Sequence, residues 1–442
     1  MQPSTAPTDA RSKATFLLTS PSMTGHLMPV LDLARGLVSR GHRVLVFTAA
    51  SARPLVEAAG AVLVPYQHYR EVKERLEQAE KTAPRWMERW PILQYLRMLW
   101  IARGAIVDST RDFVEELEPV LRRERVDCLV YDFVSFGAGH AAERVGIPAV
   151  SVSNVGGVID DQGLPLLLRT LPLARWVSRV PRLVHRVTDV LLPLRRVRAS
   201  LGLPPRSDEH AEIFQMNASR ELNLVMAPHC LVEGLALRDH QLFAGPSTFD
   251  GGPKQPTTEL PPLEPGTVLV STTTVGGDGG LLRRVLEGVA PMGVPVLATT
   301  SVNRKVPEGL GPHIRLERFV PHEQVFPQAA AVVTHGGLGT VARALQHGVP
   351  MLIIPLFSDQ PLNAALAAAR GLAYHLPRES SSPEAIRERL ETLLKDELLR
   401  ARLKQVAEEL RQLRSRAPAL EALEQLALGD SEHKAAEPRM AA

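Results

Sequence analysis

The chain has 442 residues, of which 45% are hydrophobic and 22% charged, and its formal net charge at pH 7 is +3. This length exceeds one ordinary domain core, and this composition excludes an intrinsically disordered chain. The balance of charges gives no indication of nucleic-acid binding, and two cysteines are too few for a disulfide framework or a cysteine-rich zinc site.

The N-terminal residues, 1–13, are polar and precede only a short apolar run, so we expect them to be disordered rather than a signal peptide. No run of 18 apolar residues occurs, so no integral membrane segment is predicted. The expected location of the protein is therefore the cytoplasm.

The first predicted unit has the order strand, loop, helix, strand. Residues 14–19 are apolar and predict a strand, and residues 27–40 carry apolar side chains at helical spacing. Gly41 ends that helix, and residues 43–48 predict the next strand. His26 lies in the loop just before the predicted helix. Such a βαβ unit requires a parallel sheet.

Two polar residues of this first half are predicted at the carboxyl ends of strands, where ligands bind in open α/β sheets. His26 can act as a base near neutral pH, and a capping or solvated loop position explains it equally well. Asp132 ends a strand predicted at 127–132 and precedes a helix predicted at 133–144. A carboxylate beside a histidine fixes the tautomer of the ring, but a simple helix N-cap is a strong alternative for Asp132.

The segment 158–206 contains nine arginines, no lysine and three acidic residues. Arg175, Arg179, Arg182 and Arg186 fall on one helical face, opposite a row of valines. Three interpretations stay open for this segment: an apolar lid over a hydrophobic ligand, a contact with an anionic membrane surface, and a surface helix with one core-facing stripe.

A second unit with the same layout follows a segment rich in proline and glycine. Residues 245–265 cannot form a helix or a central strand, so they predict an interdomain linker. Residues 268–271 then predict a strand, 281–290 a helix and 294–299 the next strand. The chain is therefore expected to contain a first domain at 14–244, a second domain at 266–416, a terminal helix at 417–428, and a disordered tail at 429–442.

The most specific segment runs from Thr334 to Thr340, between a predicted strand and a predicted helix. Its two adjacent glycines let backbone N–H groups approach a ligand, and the helix N-terminus offers free donors to a phosphate. The segment is neither a Walker loop nor a GxGxxG motif. A plain tight turn is the alternative.

Asp359, Gln360 and Asn363 follow the strand predicted at 351–355. These side chains are suited to hydrogen bonds with the vicinal hydroxyl groups of a sugar. They also fit the N-cap and first turn of a helix predicted at 361–369, and both roles are compatible.

Other kinds of site are not supported. No Gly-x-Ser-x-Gly motif occurs, which excludes a lipase-type serine hydrolase. His322-Glu323 lacks the second histidine of an HExxH motif, no Asp-x-Asp pair is present, and the acidic and histidine residues at 208–212 lie in a polar connector. No metal ion is therefore expected.

Taken together, these residues resemble the inverting glycosyltransferases of the GT-B fold in the UDP-glycosyltransferase superfamily. The nearest type is the bacterial one that glycosylates macrolides and other polyketides. The matching features are Gly25-His26, Asp132, 319–322 and the run 334–363, and the resemblance extends from about residue 14 to 428. It implies two doubly wound Rossmann-like α/β domains that face each other across a cleft, and a terminal helix at 417–428 that crosses to the first domain. The first would bind a hydrophobic small-molecule acceptor and the second a nucleotide-sugar donor.

The resemblance also implies roles for the matching residues. His26 would be the general base that deprotonates the acceptor hydroxyl, and Asp132 would orient His26. The oxygen would attack the anomeric carbon in line and expel the nucleoside diphosphate with inversion. The donor-binding residues would be Thr274, Phe319, Val320, His335, Gly337, Leu338, Gly339, Thr340, Arg343, Asp359 and Gln360.

Within that set, the helix N-terminus at 337–340 and His335 would hold the pyrophosphate without a metal. Phe319 would stack on the base, and the backbone of Val320 would bind the edge of the base. The pair at 359–360 would bind the sugar hydroxyls.

The chain departs from the family pattern at three places. The family's Val-Ser-Leu-Gly-Thr is Val-Ser-Thr-Thr-Thr at 270–274, and His322 replaces a Gln. Arg343 stands where many UDP-sugar relatives have a Glu that accepts hydrogen bonds from the ribose. Because arginine has no acceptor, we expect dTDP-sugars to be tolerated beside UDP-sugars, unless Arg343 points into solvent. A nucleotide-sugar epimerase and a catalytically silent GT-B homologue that acts as a binding subunit are the competing functions.

Overall fold

The computed structural model describes residues 13–82, 84, 91–158, 194–205, 217–234, 240–249, 262–272, 280–300, 309–318, 320–415 and 418–435. In these residues the first sheet has seven parallel strands in the order β3-β2-β1-β4-β5-β6-β7. Its strands are β1 (Thr15–Thr19), β2 (Arg43–Thr48), β3 (Val62–Pro65), β4 (Cys128–Asp132), β5 (Ala149–Ser153), β6 (Leu222–Val225) and β7 (Gln241–Phe243).

Helices cover both faces of this sheet. They are α1 (Thr24–Ser39), α2 (Arg53–Ala58), α3 (Val72–Thr82), α4 (Pro91–Arg123), α5 (Ala138–Val145) and α6 (Leu194–Ser200). Because side chains alternate along a strand, Phe16 and Leu18 of β1 join the buried cluster that contains α1. Leu17 joins the cluster on the other face, which contains Phe113 and Leu117 of α4. Burial on both faces explains why these strands are continuous apolar runs.

The second sheet has six parallel strands in the order β10-β9-β8-β11-β12-β13. Its strands are β8 (Val268–Ser271), β9 (Val296–Thr299), β10 (Ile314–Glu317), β11 (Ala331–Thr334), β12 (Met351–Ile353) and β13 (Tyr374–His375). The remaining helices are α7 (Leu281–Val289), α8 (His322–Val325), α9 (Leu338–His347), α10 (Gln360–Ala369), α11 (Pro383–Lys395), α12 (Glu397–Ser415) and α13 (Pro418–Ala435). The predicted α/β architecture of two doubly wound parallel sheets is confirmed.

The strand order places a switch point in each sheet. In the first sheet the chain runs outward from β1 through β2 to β3 and then returns to the other side of β1 as β4. In the second sheet β8 and β11 have the same relation. Ligands bind outside the carboxyl ends of the strands at such points. The segments that follow β1, β4, β8 and β11 are therefore the expected site.

Two predicted helix starts in the first half are wrong. Helix α1 begins at Thr24, so His26 lies in its first turn and not in the preceding loop. The carbonyl of Met23 accepts the N–H groups of His26 and Leu27 at 2.9 Å, which starts the helix before the first apolar position. The helix predicted from residue 133 begins only at Ala138, because Gly137 at its N-cap has a φ of +101°.

Asp396 separates α11 from α12, because its Oδ1 accepts the N–H of Leu399 at 2.9 Å. One prediction near the C-terminus is also wrong. The predicted disordered tail from Gly429 onward is helical as far as Ala435. One glycine inside a helix costs only about 1 kcal/mol, so α13 continues through it.

Helix α13 follows the second sheet in the chain but packs against the first. Leu423 is buried in the cluster that contains α1, and Leu420 lies against Gly36 of that helix. Glu424 accepts hydrogen bonds from Arg40 at 2.7 Å and from Nε2 of His42 at 2.9 Å.

The two halves also share apolar contacts elsewhere. Ala227 and Leu231, which follow β6, lie in the same buried cluster as Leu362 of α10. Within the segment predicted as a linker, residues 250–261 lie outside the described residues, and the domain boundaries stay a prediction.

Candidate active site

The switch point of the first sheet brings His26 and Asp132 together. Nδ1 of His26 lies 3.1 Å from both carboxylate oxygens of Asp132. The Asp132 side chain is 5% exposed and that of His26 is 25% exposed, so the carboxylate is inside and the ring is accessible. Because a carboxylate only accepts, Nδ1 carries a proton. In the neutral ring, Nε2 is then the basic atom.

The electrostatic surroundings favour the protonated ring. Burial acts to lower the pKa of His26, but the charge and hydrogen bond of Asp132 and the charge of Asp359 outweigh it. The pKa is therefore raised from the usual 6.5. Asp359 belongs to the second half of the chain, so its effect on His26 indicates that the two halves meet at this point.

One further contact orients this pair, and another fixes the loop before α1. Oδ1 of Asp132 also accepts the N–H of Val134 at 3.0 Å, which orients the carboxylate. In the loop before α1, Ser22 donates its N–H and its hydroxyl to the two oxygens of Glu71, both at 2.7 Å. Glu71 was not predicted from the sequence, because it lies 49 positions from Ser22 in a polar stretch without periodicity.

At the second switch point, the loop after β11 requires a glycine at Gly336. Gly336 has a φ of +86°, and a Cβ there would lie 2.6 Å from Cγ2 of Ile353. A Cβ at Gly337 would lie 2.7 Å from Nε2 of His335, which is the end of a side chain that can rotate away. Nδ1 of His335 lies 3.4 Å from the carbonyl oxygen of Ser271, which joins this loop to the end of β8.

Helix α9 begins directly after these glycines. The carbonyl of Gly337 accepts the N–H groups of Thr340 and Val341 at 3.0 and 3.1 Å. The N–H groups of Leu338 and Gly339 find no acceptor in the part of the chain that the structure describes. A helix N-terminus with unused donors and a positive dipole end suits a phosphate group.

Asp359 and Gln360 follow β12 but have different environments. Oδ2 of Asp359 lies 3.2 Å from Nδ2 of Asn363 and 3.4 Å from Nδ2 of Asn154. Oε1 of Gln360 accepts the N–H groups of Leu356 and Phe357, at 2.9 and 3.1 Å, so this oxygen closes the loop. Asp359 therefore has the accessible charge, and Gln360 has only its amide NH₂ for a ligand.

The chain is similar to several known proteins. Residues 283–426 match the family model described as the C-terminal domain of erythromycin biosynthesis protein CIII-like proteins. The 4'-demethylrebeccamycin synthase of Lentzea aerocolonigenes is 27% identical over 406 residues, which is 87% of this chain and 93% of that protein.

Solved structures match over nearly the whole chain. The glycotransferase of kitacinnamycin aligns with a TM-score of 0.72 and 22% identity over 94% of this chain and 99% of that one. The glycosyltransferase VinC, solved in complex with dTDP, aligns with a TM-score of 0.65 and 22% identity over 93% and 99%.

The chain is a homologue of bacterial natural-product glycosyltransferases. It has their GT-B fold. The inferred resemblance to bacterial natural-product glycosyltransferases of the GT-B fold is thereby confirmed, and the comparisons support a glycosyltransferase.

In this glycosyltransferase homologue, Arg343 does not point into solvent. It is 7% exposed, its NH2 donates to the carbonyl of Phe249 at 3.3 Å, and it forms an ion pair with Glu323 of α8. Burial and the charge of Arg343 lower the pKa of the neighbouring His322 to about 4, so that ring is neutral. The solvent-facing alternative for Arg343 is wrong.

The other predicted donor residues are only partly described. Thr274, Phe319 and the arginine-rich face at 175–186 lie outside the described residues. Val320 is 1% exposed and belongs to the core of the second half, which leaves its backbone for recognition. These assignments stay predictions.

Neither a metal-binding cluster nor a membrane-spanning helix occurs among the described residues. Among the described residues, no three His, Cys, Asp or Glu side chains are grouped so that they could hold a metal ion. In the same residues, no helix has both the length and the apolar character needed to cross a membrane.

Proposed function

We propose that this glycosyltransferase moves a hexose or deoxyhexose from a nucleoside diphosphate sugar to a hydroxyl group of a hydrophobic natural product, such as a macrolide or another polyketide, with inversion. One observation carries the proposal. The His26–Asp132 pair lies within the electrostatic influence of Asp359, a polar residue that follows β12 of the second sheet.

The first step is proton removal from the acceptor. Asp132 holds the proton of His26 on Nδ1, so Nε2 takes the proton of the acceptor hydroxyl. The oxygen then attacks the anomeric carbon from the face opposite the nucleotide. The carbon–oxygen bond to the diphosphate breaks as the new one forms, and a single displacement inverts the configuration.

The second half of the chain stabilises the leaving group. Negative charge grows on the diphosphate as the sugar leaves, and the N-terminus of α9 offers the N–H groups of Leu338 and Gly339 to it. Such donors need no reorganisation during the reaction. We therefore propose transfer without a metal cofactor.

The proposal predicts a separation of chemistry from binding at His26. The variant His26→Ala should lower the rate of transfer about 10²–10⁴-fold, the usual cost of losing a general base. Affinity for free dTDP or UDP should stay unchanged, because the nucleotide contacts come from the other sheet. His68→Ala is the matched control, since His68 is exposed and lies in the same half. Wild-type turnover by His26→Ala with an unactivated alcohol would exclude His26 as the base.

The competing functions give different results in the same screen. Turnover of several UDP- and dTDP-sugars with a hydrophobic alcohol identifies a transferase. An epimerase would convert the sugar without an acceptor, and a silent homologue would bind nucleotide without turnover. The intact His26–Asp132 pair favours the transferase.

We also propose that the donor site accepts dTDP-sugars beside UDP-sugars. Arg343 is bound to Glu323 and to the carbonyl of Phe249, and its guanidinium cannot accept a hydrogen bond from a ribose hydroxyl. A deoxyribose lacks the 2′-hydroxyl, so a dTDP-sugar loses less binding free energy at this position than a UDP-sugar does. The structure of VinC with dTDP supports this reading.

A competition experiment tests the nucleotide preference. A lost hydrogen bond costs about 0.5–1.5 kcal/mol, so UDP and dTDP should differ by no more than about tenfold. Arg343→Gln supplies an acceptor oxygen without placing a second carboxylate beside Glu323, and it should shift the ratio toward UDP. Much tighter binding of UDP by the wild type, with no shift in the variant, would refute the proposal.

A further inference from the structure

A polar contact joins the two halves of the chain beside the proposed transfer site. Asn154 follows β5 of the first sheet, and its Nδ2 makes a long hydrogen bond of 3.4 Å to Oδ2 of Asp359, which follows β12 of the second. The orientation of the Asn154 amide is determined, because Oδ1 accepts the N–H of Gly156 at 2.9 Å. The NH₂ group therefore faces Asp359.

The same oxygen of Asp359 receives a second amide. Nδ2 of Asn363 lies 3.2 Å from Oδ2 and also donates to the carbonyl of Gly336 at 3.0 Å. Gly336 belongs to the glycine loop that precedes α9. One oxygen of Asp359 is thus held by two amides from opposite sides of the cleft. In the part of the chain that the structure describes, Oδ1 has no hydrogen-bond donor.

This arrangement has a consequence for both substrates. A carboxylate held through one oxygen keeps the other oriented for a sugar hydroxyl. The charge of Asp359 also raises the pKa of His26, so a change of charge beside Asp359 acts on the base as well. Asn154 therefore lies where the sugar-binding carboxylate and the base influence each other.

We propose that Asn154 is a positioning residue for glycosyl transfer, which holds Asp359 from the acceptor-binding half of the chain. The inference rests on the proposed function. Asn154 does not contact the reacting atoms but acts through Asp359, which binds the transferred sugar. It also makes the geometry of the donor sugar depend on the approach of the two halves.

The variant Asn154→Asp is the sharpest test. Aspartate keeps an oxygen for the N–H of Gly156 and is as good a capping residue as asparagine, so the local turn is retained. It replaces the NH₂ group by a second carboxylate facing Asp359. We expect the KM for the sugar donor to rise about tenfold or more, while affinity for free dTDP or UDP stays unchanged.

The pH profile gives a readout that a purely structural role would not change. A second anion near His26 favours the imidazolium ring. The ascending limb of kcat/KM should therefore move to higher pH in Asn154→Asp. Asn154→Ser separates the two effects, because serine can cap the turn but is too short to reach Asp359. It should raise the KM for the donor without adding a charge.

Gln405→Glu is the matched control for the change from amide to acid. Gln405 is exposed on α12, away from the cleft, and this variant should leave both KM and the pH profile unchanged. If Asn154→Asp does not fold, the donor KM of Asn154→Ser alone tests the inference, and a wild-type value overturns it.

Two failures are distinguishable. If both Asn154 variants keep the wild-type donor KM and pH profile, Asn154 only caps its turn and the inference is overturned. If the wild type transfers no sugar from any donor, the proposed function fails, irrespective of Asn154.

Discussion

Replacing Asp132 by asparagine tests the catalytic pair with almost no change of shape. Oδ1 of Asp132 accepts the N–H of Val134 at 3.0 Å, and the oxygen of an asparagine amide would keep that bond. The NH₂ group then replaces Oδ2, and the Oδ1 and Oδ2 positions both lie 3.1 Å from Nδ1 of His26. Because an NH₂ group only donates and the amide oxygen is already bound to the N–H of Val134, we expect Nδ1 to accept from the NH₂ group and the ring proton to move to Nε2.

The magnitude follows from that change of tautomer. With a proton on Nε2, His26 cannot take the proton of the acceptor hydroxyl. Loss of a general base lowers a rate about 10²–10⁴-fold, which corresponds to about 3–5 kcal/mol of transition-state stabilisation. We expect kcat of Asp132→Asn to fall within this range. Binding of dTDP or UDP should be unaffected.

The dependence of kcat/KM on pH is the second part of the assay. The pKa of His26 is raised above 6.5, and below it the ring is a cation without basic character. Activity of the wild type should therefore fall as the pH is lowered through that pKa and reach a plateau above it. In Asp132→Asn the anion that raises the pKa of His26 is lost. The rise of kcat/KM should therefore occur at lower pH, and its plateau value should be lower than in the wild type.

A control next to the same strand completes the experiment. Asp127 is exposed, directly precedes β4 and accepts the N–H of Thr15, so Asp127→Asn should retain wild-type kcat. The reasoning is refuted if Asp132→Asn keeps the wild-type kcat and an unshifted pH profile.

The remaining predictions concern stability and reactivity. Glu424→Ala should lower the free energy of unfolding by about 1–3 kcal/mol, because Nε2 of His42 is left buried without its acceptor, whereas exposed Glu421→Ala should change it by less than about 0.5 kcal/mol. Ser358→Gly should raise the melting temperature, because Ser358 has a φ of +60°, which costs a non-glycine residue about 1–2 kcal/mol. Burial, with a smaller contribution from Glu409, raises the pKa of the Cys230 thiol to about 12, so a maleimide at pH 7 should label Cys230 only after unfolding.

Each of these predictions has a clear opposite result. Equal melting temperatures of the two α13 variants would show that the Glu424 contacts contribute nothing. The Glu424 effect should also depend on pH. Burial acts to raise the pKa of Glu424, but the hydrogen bonds of His42 and Arg40 outweigh it and lower the pKa from 4.5. Its stabilisation is therefore present above about pH 4.5 and is lost as the pH falls through the lower folded value. A lower melting temperature of Ser358→Gly, or fast labelling of Cys230, would contradict the other two.

Local patterns in the sequence were sufficient for much of the fold. The strand β1 and the helix α1 follow from an apolar run and an apolar face of helical period, signals confined to about 25 neighbouring residues. The parallel sheets follow from the repeated order of strand, helix and strand. Because the carboxyl ends of parallel strands share one edge, the sequence also indicated that His26 and Asp132 lie close together.

Helix boundaries were less predictable, because backbone hydrogen bonds and not apolar side chains determine them. The carbonyl of Met23 starts α1 two residues before His26, and Gly137 delays α5. Asp396 separates α11 from α12 through a hydrogen bond with the N–H of Leu399. Periodicity carries no information about these polar contacts.

Contacts between distant parts of the chain were decided only by the tertiary structure. Asn154 and Asp359 are 205 positions apart, and His42 and Glu424 are 382 apart. Nothing in the sequence around Arg343 indicates its contact with Phe249, which lies 94 positions away. A short window fixes which face of a helix is buried, but the partner of a polar side chain depends on how the two sheets pack. The contacts that orient the candidate site therefore depend on the packing of both halves of the chain, and a short stretch of sequence does not reveal them.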